Sequence, residues 1–252
     1  MTTPIALQLY TLRDATARDY AGTLEQVAAM GYAGVETAGF EGTTIPAAAQ
    51  LFKRLGLTVC STHLPLPLGE RQAQVLETMQ IFECRRLVCP SQPRQEFETV
   101  AGIQRVCDTL NAASAVAQAH GLSLGYHNHW WEFQMVDGRL AHDRLRDGLS
   151  PEVFFEVDTY WTQTAGVDAA AVLKQLGPRA PLLHIKDGPA LQGKAMTALG
   201  EGVMDIPALV EASAGNAEWL IVELDNCDTD MAEAVRRSFD YLVQNGLGRG
   251  KN

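Results

Sequence analysis

Apolar residues along this chain fall into short, nearly continuous runs, which alternate with longer stretches where they recur every three or four positions. The runs predict strands at 4–10 (PIALQLY), 33–38 (AGVETA), 58–64 (TVCSTHL), 85–90 (RRLVCP), 122–129 (LSLGYHNH), 152–161 (EVFFEVDTYW), 180–187 (APLLHIKD) and 219–225 (WLIVELD). The helical spacing predicts helices over 18–31, 45–55, 70–83, 97–119, 167–176, 205–213 and 230–244. In the first of these, Leu24, Val27, Ala28 and Gly31 share a face. Gly121 follows the 97–119 stretch as a stop signal.

The predicted strands lack the in/out alternation of a half-exposed sheet, as parallel strands covered on both faces do. Eight strands, seven of them followed by a helix, in 252 residues match the arithmetic of a (β/α)8 TIM barrel, an α/β fold read here as one domain over 1–252. A doubly wound open sheet is the runner-up. It calls for a glycine-rich turn after the first strand, and Leu9-Tyr10-Thr11-Leu12-Arg13 holds no glycine. One insertion breaks the rhythm at 130–150, where WWEFQMVDGRL predicts a small hairpin turning at Asp137-Gly138.

Composition narrows the function classes. Hydrophobic residues make up 46% and charged residues 20%, an ordinary globular balance for a chain long enough to fold without staples. The net charge of −10 and the lack of any Lys/Arg block argue against nucleic acid as a partner, because that affinity comes from clustered positive charge. Cys60, Cys84, Cys89, Cys107 and Cys227 are odd in number and show no CxxC pairing, which predicts reduced thiols. The start MTTPIALQLYTLRD has no basic, long-apolar leader, and no window approaches a membrane span, so the expected location is the cytoplasm.

Polar residues gather where the predicted strands end: Gln8 and Tyr10; Glu36; His63; His127, Asn128 and His129; Glu156 and Asp158; His184, Lys186 and Asp187; Glu223 and Asp225. In a barrel of this kind the C-terminal face carries the active site. Many ionisable groups converging on one mouth need a counter-charge, and Lys186 is the lone lysine among them. A divalent cation is the economical answer. Carboxylates with one or two imidazoles suit Mn2+, Mg2+, Co2+, Fe2+ or Zn2+, with positions left open for a hydroxy-carbonyl substrate.

Plainer readings stand beside these. Glu36 reads equally as a strand-end charge and His63 as a strand-end cap; Trp130, Trp131 and Trp161 read as core aromatics or as the wall of a sugar site. His120 and His142 fall on helix or loop stretches and read as surface residues.

The segments GYHNHWWEF (125–133), FFEVDTYW (154–161), LLHIKD (182–187), ALGEGVMDIPAL (198–209) and LIVELD (220–225), in this order, resemble the sugar phosphate isomerase/epimerase family of xylose-isomerase-like TIM barrels, in particular a YHNHxxEF subgroup. LQLYTLRD near the start and STHLP after the third strand fit too, so the likeness spans the whole chain. The resemblance implies a metal held by Asp158, His184 and Glu223. The family's fourth ligand is usually a Glu opening a Glu-Asn-His triplet, which here reads His127-Asn128-His129; Glu132 is therefore taken as the fourth ligand, with His127 or His129 as the alternative.

The chemistry so implied is proton abstraction next to a carbonyl, through an enediolate, on a sugar or keto-sugar. By resemblance Glu223 and Glu132 act as base as well as ligand, and His129 is an alternative proton carrier. His63, Lys186, Glu201, Trp161 and His127 are the expected substrate contacts. A lyase of the inosose-dehydratase or keto-glycoside-cleaving type is the alternative on the same site; an abasic-site endonuclease or a non-catalytic sugar-binding barrel are the more distant ones. Gly200-Glu201-Gly202 is a faint phosphate-loop candidate of the wrong charge, so an unphosphorylated substrate is expected. Relatives are commonly dimers or tetramers.

Overall fold

Eight parallel strands close on themselves in a computed structural model that describes residues 2–251. They are β1 (Thr3–Gln8), β2 (Gly34–Ala38), β3 (Thr58–His63), β4 (Arg86–Cys89), β5 (Ser123–His127), β6 (Phe154–Asp158), β7 (Leu182–Ile185) and β8 (Trp219–Val222). Each pairs with the next in sequence, and β8 returns to β1 through Ile5–Leu220, Ala6–Ile221 and Leu7–Val222. This is a single-domain (β/α)8 barrel with its helices outside.

The helix starts are written in the local sequence. Thr44 caps Ile45–Leu55, Thr99 caps Val100–Ala119, Asp168 caps Ala169–Leu176, Asp205 caps Ile206–Ala212 and Asp230 caps Met231–Gln244. In each case the side-chain oxygen accepts a backbone N–H that would otherwise lack a partner. The helix expected over 18–31 is Tyr20–Met30, capped by Asp19, which accepts from Gly22 N–H; a short helix over Arg13–Arg18 precedes it. The helix expected over 70–83 is Gln72–Ile81.

Most strands are shorter than the apolar runs, chiefly at their C-terminal ends. Tyr10 lies in a 3-10 turn over Leu9–Leu12, and Trp161 in a short helix over Thr159–Thr164 capped by Asp158. Several residues just past the strand ends, among them Tyr10, His129, Glu223 and Asp225, line the mouth.

The insertion holds the expected hairpin, Met135–Val136 against Arg139–Leu140, turning through Asp137 and Gly138 with φ of 45° and 74°. Besides the short helices Arg13–Arg18 and Thr159–Thr164, a strand Gly248–Arg249 running parallel to the start of β1 and a helix over Ala141–Gly148 were not expected. The new helix corrects the reading of His142. Its ring is 1% exposed, packed against Phe133 at 4.7 Å and Phe155 at 5.3 Å. His120 is exposed, as expected.

A large apolar shell fills the space between barrel and helices. A smaller cluster of Ala6, Cys60, Val88, Phe154, Leu182 and Ile221 is separate from it and comes from the strands alone. Gly125 is required there, since a Cβ at this position would lie 2.1 Å from the Phe154 ring. The five cysteines stand free. No helix among the described residues is long and apolar enough to cross a membrane.

Candidate metal centre at the barrel mouth

Side chains two apart on a strand point the same way, so Glu156 and Asp158 of β6 both turn inward. Register then aligns the neighbours: Asp158 lies beside His184, and His127 beside Glu156. Gln8 and Glu36 are paired on the other side of the barrel. Above the apolar plug the barrel interior is therefore a polar layer. Gln8, Glu36, Ser61, Glu156, Asp158 and His184 are fully buried in it.

The layer holds two overlapping groups of side chains whose donor atoms all lie within 4.8 Å of one another: His127, Asp158, His184 and Glu223, and more centrally His63, His127, Glu156 and His184. His184 joins them. Its Nδ1 is 2.7 Å from Glu223 Oε2, and its Nε2 is 2.6 Å from Glu36 Oε1 and 3.2 Å from Glu156 Oε2. Burial opposes a charge on this ring, but the Glu156, Glu223 and Glu36 carboxylates outweigh it and hold His184 well above the usual imidazole range. His63 is raised in the same manner, its Nε2 lying 2.6 Å from Glu156 and 3.2 Å from Glu36. His127 goes the other way: burial and the neighbouring His184 charge push it down to about 3. It stays neutral, with a lone pair to offer.

The carboxylates differ according to their partners. Burial and the neighbouring Glu156 charge push Glu36 up to about 7, although Gln8 Nε2 and Ser61 Oγ donate to it. A bulge in β3 opposite Val35 and Glu36 shifts the register so that Ser61 meets Glu36. Glu156 and Glu223 are held well below the usual range: burial is outweighed by His184 and His63 around the first, and by Lys186 and His184 around the second. Burial pushes Asp158 up to about 6.

Lys186, 1% exposed, places Nζ 2.8 Å from Asp158 Oδ2, 2.7 Å from Glu223 Oε2 and 2.7 Å from Asp225 Oδ2. Glu156 Oε1 is buried without a hydrogen bond, while His127 Nδ1 lies 3.1 Å from Glu156 Oε2. Two imidazoles with two carboxylates are an ordinary donor set for a borderline divalent metal.

The structure does not bring Glu132 to this group. Its carboxylate is fully buried and already engaged, accepting from Tyr126 Oη at 2.6 Å and from the His129 backbone N–H at 2.9 Å. Burial pushes it up to about 7. Of the alternatives to it, His127, the first residue of the triplet, is the one grouped with Asp158, His184 and Glu223.

The other expected site residues are spread around the mouth. A cavity of about 670 Å³ opens over the metal group and is lined by His63, His127, His129 and Glu223, with Tyr10, Arg13, Glu41 and Asp225 further out. His129 stacks on Trp131 at 4.1 Å, and Trp161 lies 5.5 Å from Lys186 Nζ. Glu201 is elsewhere, paired with Arg237. Its neighbours explain why: Asp187 accepts N–H groups from Gly188, Gly200, Gly202 and Met204, so the glycine loop wraps a buried carboxylate and offers no cradle to a phosphate. A second cavity of about 770 Å³ lies at the opposite end, beside Arg85, His120 and Leu122, and includes none of the metal-group residues.

Glu36 and Glu156 stood in the strand-end series without a role. The signal for Glu156 was its i, i+2 spacing from Asp158, which puts both on one strand face.

Residues 24–244 match the family described as xylose isomerase-like TIM barrel. Inosose dehydratase of Salmonella typhimurium is 25% identical over 168 residues, 57% of this chain and 55% of that protein, so the chain spans about half the length of the curated relatives it matches. Among solved structures, a sugar phosphate isomerase/epimerase from Parabacteroides distasonis superposes with a TM-score of 0.81 at 24% identity, covering 96% of this chain and 98% of that one. The IOLI protein with a bound zinc atom gives 0.72 at 14% identity, with 97% of each chain covered. At these identities the structural likenesses speak for the fold, while the match over most of the sequence speaks for descent. The chain belongs to the xylose isomerase-like TIM barrel family.

Proposed function

We propose that this protein is a divalent-metal-dependent isomerase or epimerase of a sugar or keto-sugar, with the ion held by His127, Asp158, His184 and Glu223. The carrying observation is the convergence of one donor atom from each of these four side chains within 4.8 Å of one another, with His127 and Glu223 lining the cavity. An ion in this place supplies Lewis-acid polarisation of adjacent carbonyl and hydroxyl oxygens. The zinc bound in the IOLI structure, which shares the fold, supports a divalent ion in this barrel by likeness.

The chain's own groups then divide the work. Glu223, at the cavity wall and kept ionised by Lys186 and His184, takes the carbon-bound proton beside the carbonyl. His63, which Glu36 and Glu156 hold protonated, faces the same space and returns a proton to the neighbouring carbon or to the other face, whereas burial pushes His129 down to about 2 and leaves it a neutral hydrogen-bond partner there. Glu132 contributes by pinning the loop, since its bond to the His129 N–H sets where that imidazole stands. Lys186 screens the carboxylates and faces Trp161, which closes one side.

One observation favours a second reading, a lyase that expels water or an aglycone. His63 is held as a proton donor by Glu36 and Glu156 and stands at the cavity wall, where an acid for a leaving oxygen belongs. The acidic chain and the acidic cavity rim argue against nucleic acid as the substrate.

Elemental analysis of the purified protein, followed by a keto-sugar panel in D2O watched by NMR, decides among these. Deuterium entering recovered substrate or its epimer supports the isomerase. Loss of water or aglycone supports the lyase. A protein that carries no divalent metal and exchanges no proton overturns both.

A further inference from the structure

The cavity is longer than the metal centre needs. Besides Glu223 it is lined by Tyr10, Arg13 and Asp14 after β1 and by Glu41 after β2, none of which belongs to the metal group. Tyr10 is the unusual residue of this arm. Its companions in the turn, Leu9, Thr11 and Leu12, are buried, whereas its ring is 42% exposed. Exposed aromatics are ordinary when they stand alone on a convex surface. This one lines a concave wall.

It is also braced. The Arg13 guanidinium lies 4.2 Å from the ring centroid, donates to the Tyr10 carbonyl at 2.9 Å, and donates to the Asp225 carbonyl at 2.9 Å. The Gln8 side chain accepts the Tyr10 backbone N–H at 3.1 Å. The ring is thus held in place before any ligand arrives, which lowers the entropy lost on binding. The one cation of the arm is committed to backbone carbonyls and to the ring, while Asp14, Glu41, Glu223 and Asp225 leave the lining acidic. Such a lining repels phosphate and carboxylate and offers acceptors to hydroxyl groups.

The geometry points to an outer carbohydrate subsite: Tyr10 is the stacking platform for a second, uncharged sugar ring joined to the sugar at the metal centre, whose hydroxyls donate to Asp14 and Glu41. This makes the substrate a glycoside and not a free or phosphorylated monosaccharide. The inference rests on the sugar-binding reading given above and adds the substrate's size and charge to it.

Calorimetric binding to the metal-loaded full chain tests it, using D-fructose, its glucosylated forms turanose, leucrose and palatinose, and fructose 6-phosphate as probes. At least one disaccharide should bind about tenfold more tightly than fructose, the scale of one aromatic stacking contact. Tyr10→Ala should abolish that gain and Tyr10→Phe should keep it, with fructose binding and thermal unfolding unchanged in both. Fructose 6-phosphate should bind more weakly than fructose. Fructose binding with no gain for any disaccharide, a gain that survives Tyr10→Ala, or tighter binding of the phosphate overturns the subsite and leaves the sugar-binding reading standing. Failure of every sugar, fructose included, overturns that reading and the subsite with it.

Discussion

Lys186 Nζ stands 2.8 Å from Asp158 Oδ2, 2.7 Å from Glu223 Oε2 and 2.7 Å from Asp225 Oδ2, so the three N–H groups of one ammonium meet three carboxylates. Asp158 and Glu223 are also members of the metal group, so the lysine and a divalent cation draw on the same two carboxylates.

Lys186→Met should therefore bind metal more tightly, by about tenfold or more in chelator competition, since a buried competing charge is removed. The metal-free variant should be less stable, by roughly 3 kcal/mol in denaturant unfolding, because breaking a buried ion pair leaves carboxylates uncompensated. Unchanged or weakened metal affinity would show that the ammonium and the ion do not compete.

His127 and Glu132 can be separated by metal content. His127→Ala should lose bound metal on gel filtration, as should Glu223→Gln and Asp158→Asn. Glu132→Gln should keep it, because an amide can still accept the His129 N–H and meet the Tyr126 hydroxyl. Metal loss in Glu132→Gln with retention in His127→Ala would reverse the assignment.

Asp187→Ala removes one acceptor shared by four backbone N–H groups, those of Gly188, Gly200, Gly202 and Met204. Leaving them without a partner should cost about 3 kcal/mol. Amide exchange at Gly200, Gly202 and Met204 should quicken first, ahead of the barrel strands.

His142 gives a pH dependence remote from the metal group. Burial pushes its pKa down from 6.5 to about 3, with Arg146 and Arg179 adding to the effect. The folded state favours the neutral ring, so the unfolded state binds more protons in this range, and stability falls as pH drops from 6.5 towards 3. Full charging corresponds to roughly 5 kcal/mol. His142→Phe should flatten that part of the stability–pH curve, which urea melts at several pH values would show. A variant as acid-sensitive as the parent would place the titration elsewhere.

Much of this molecule is legible from sequence, because the signals are local. Apolar runs marked all eight strands, and Thr44, Thr99, Asp168, Asp205 and Asp230 mark helix starts by hydrogen bonds to residues two or three positions along. Asp158, His184 and Glu223 were visible as ionisable residues at the ends of hydrophobic strands, where an unpaired charge is too costly to be accidental. Register and packing decided the rest. Glu132 is three residues from His129 in the chain, but Tyr126 of β5 turns its carboxylate away from the metal group, and His127 stands there instead. Glu36 meets His184, 148 positions distant, only because the barrel closes. His142 is buried only because an unforeseen helix packs it against Phe155. A sequence records which residues prefer burial and where the backbone turns, since both depend on neighbours along the chain. Which charges come to share one small volume depends on strand register around a closed sheet, and that is settled only when all eight strands are in place.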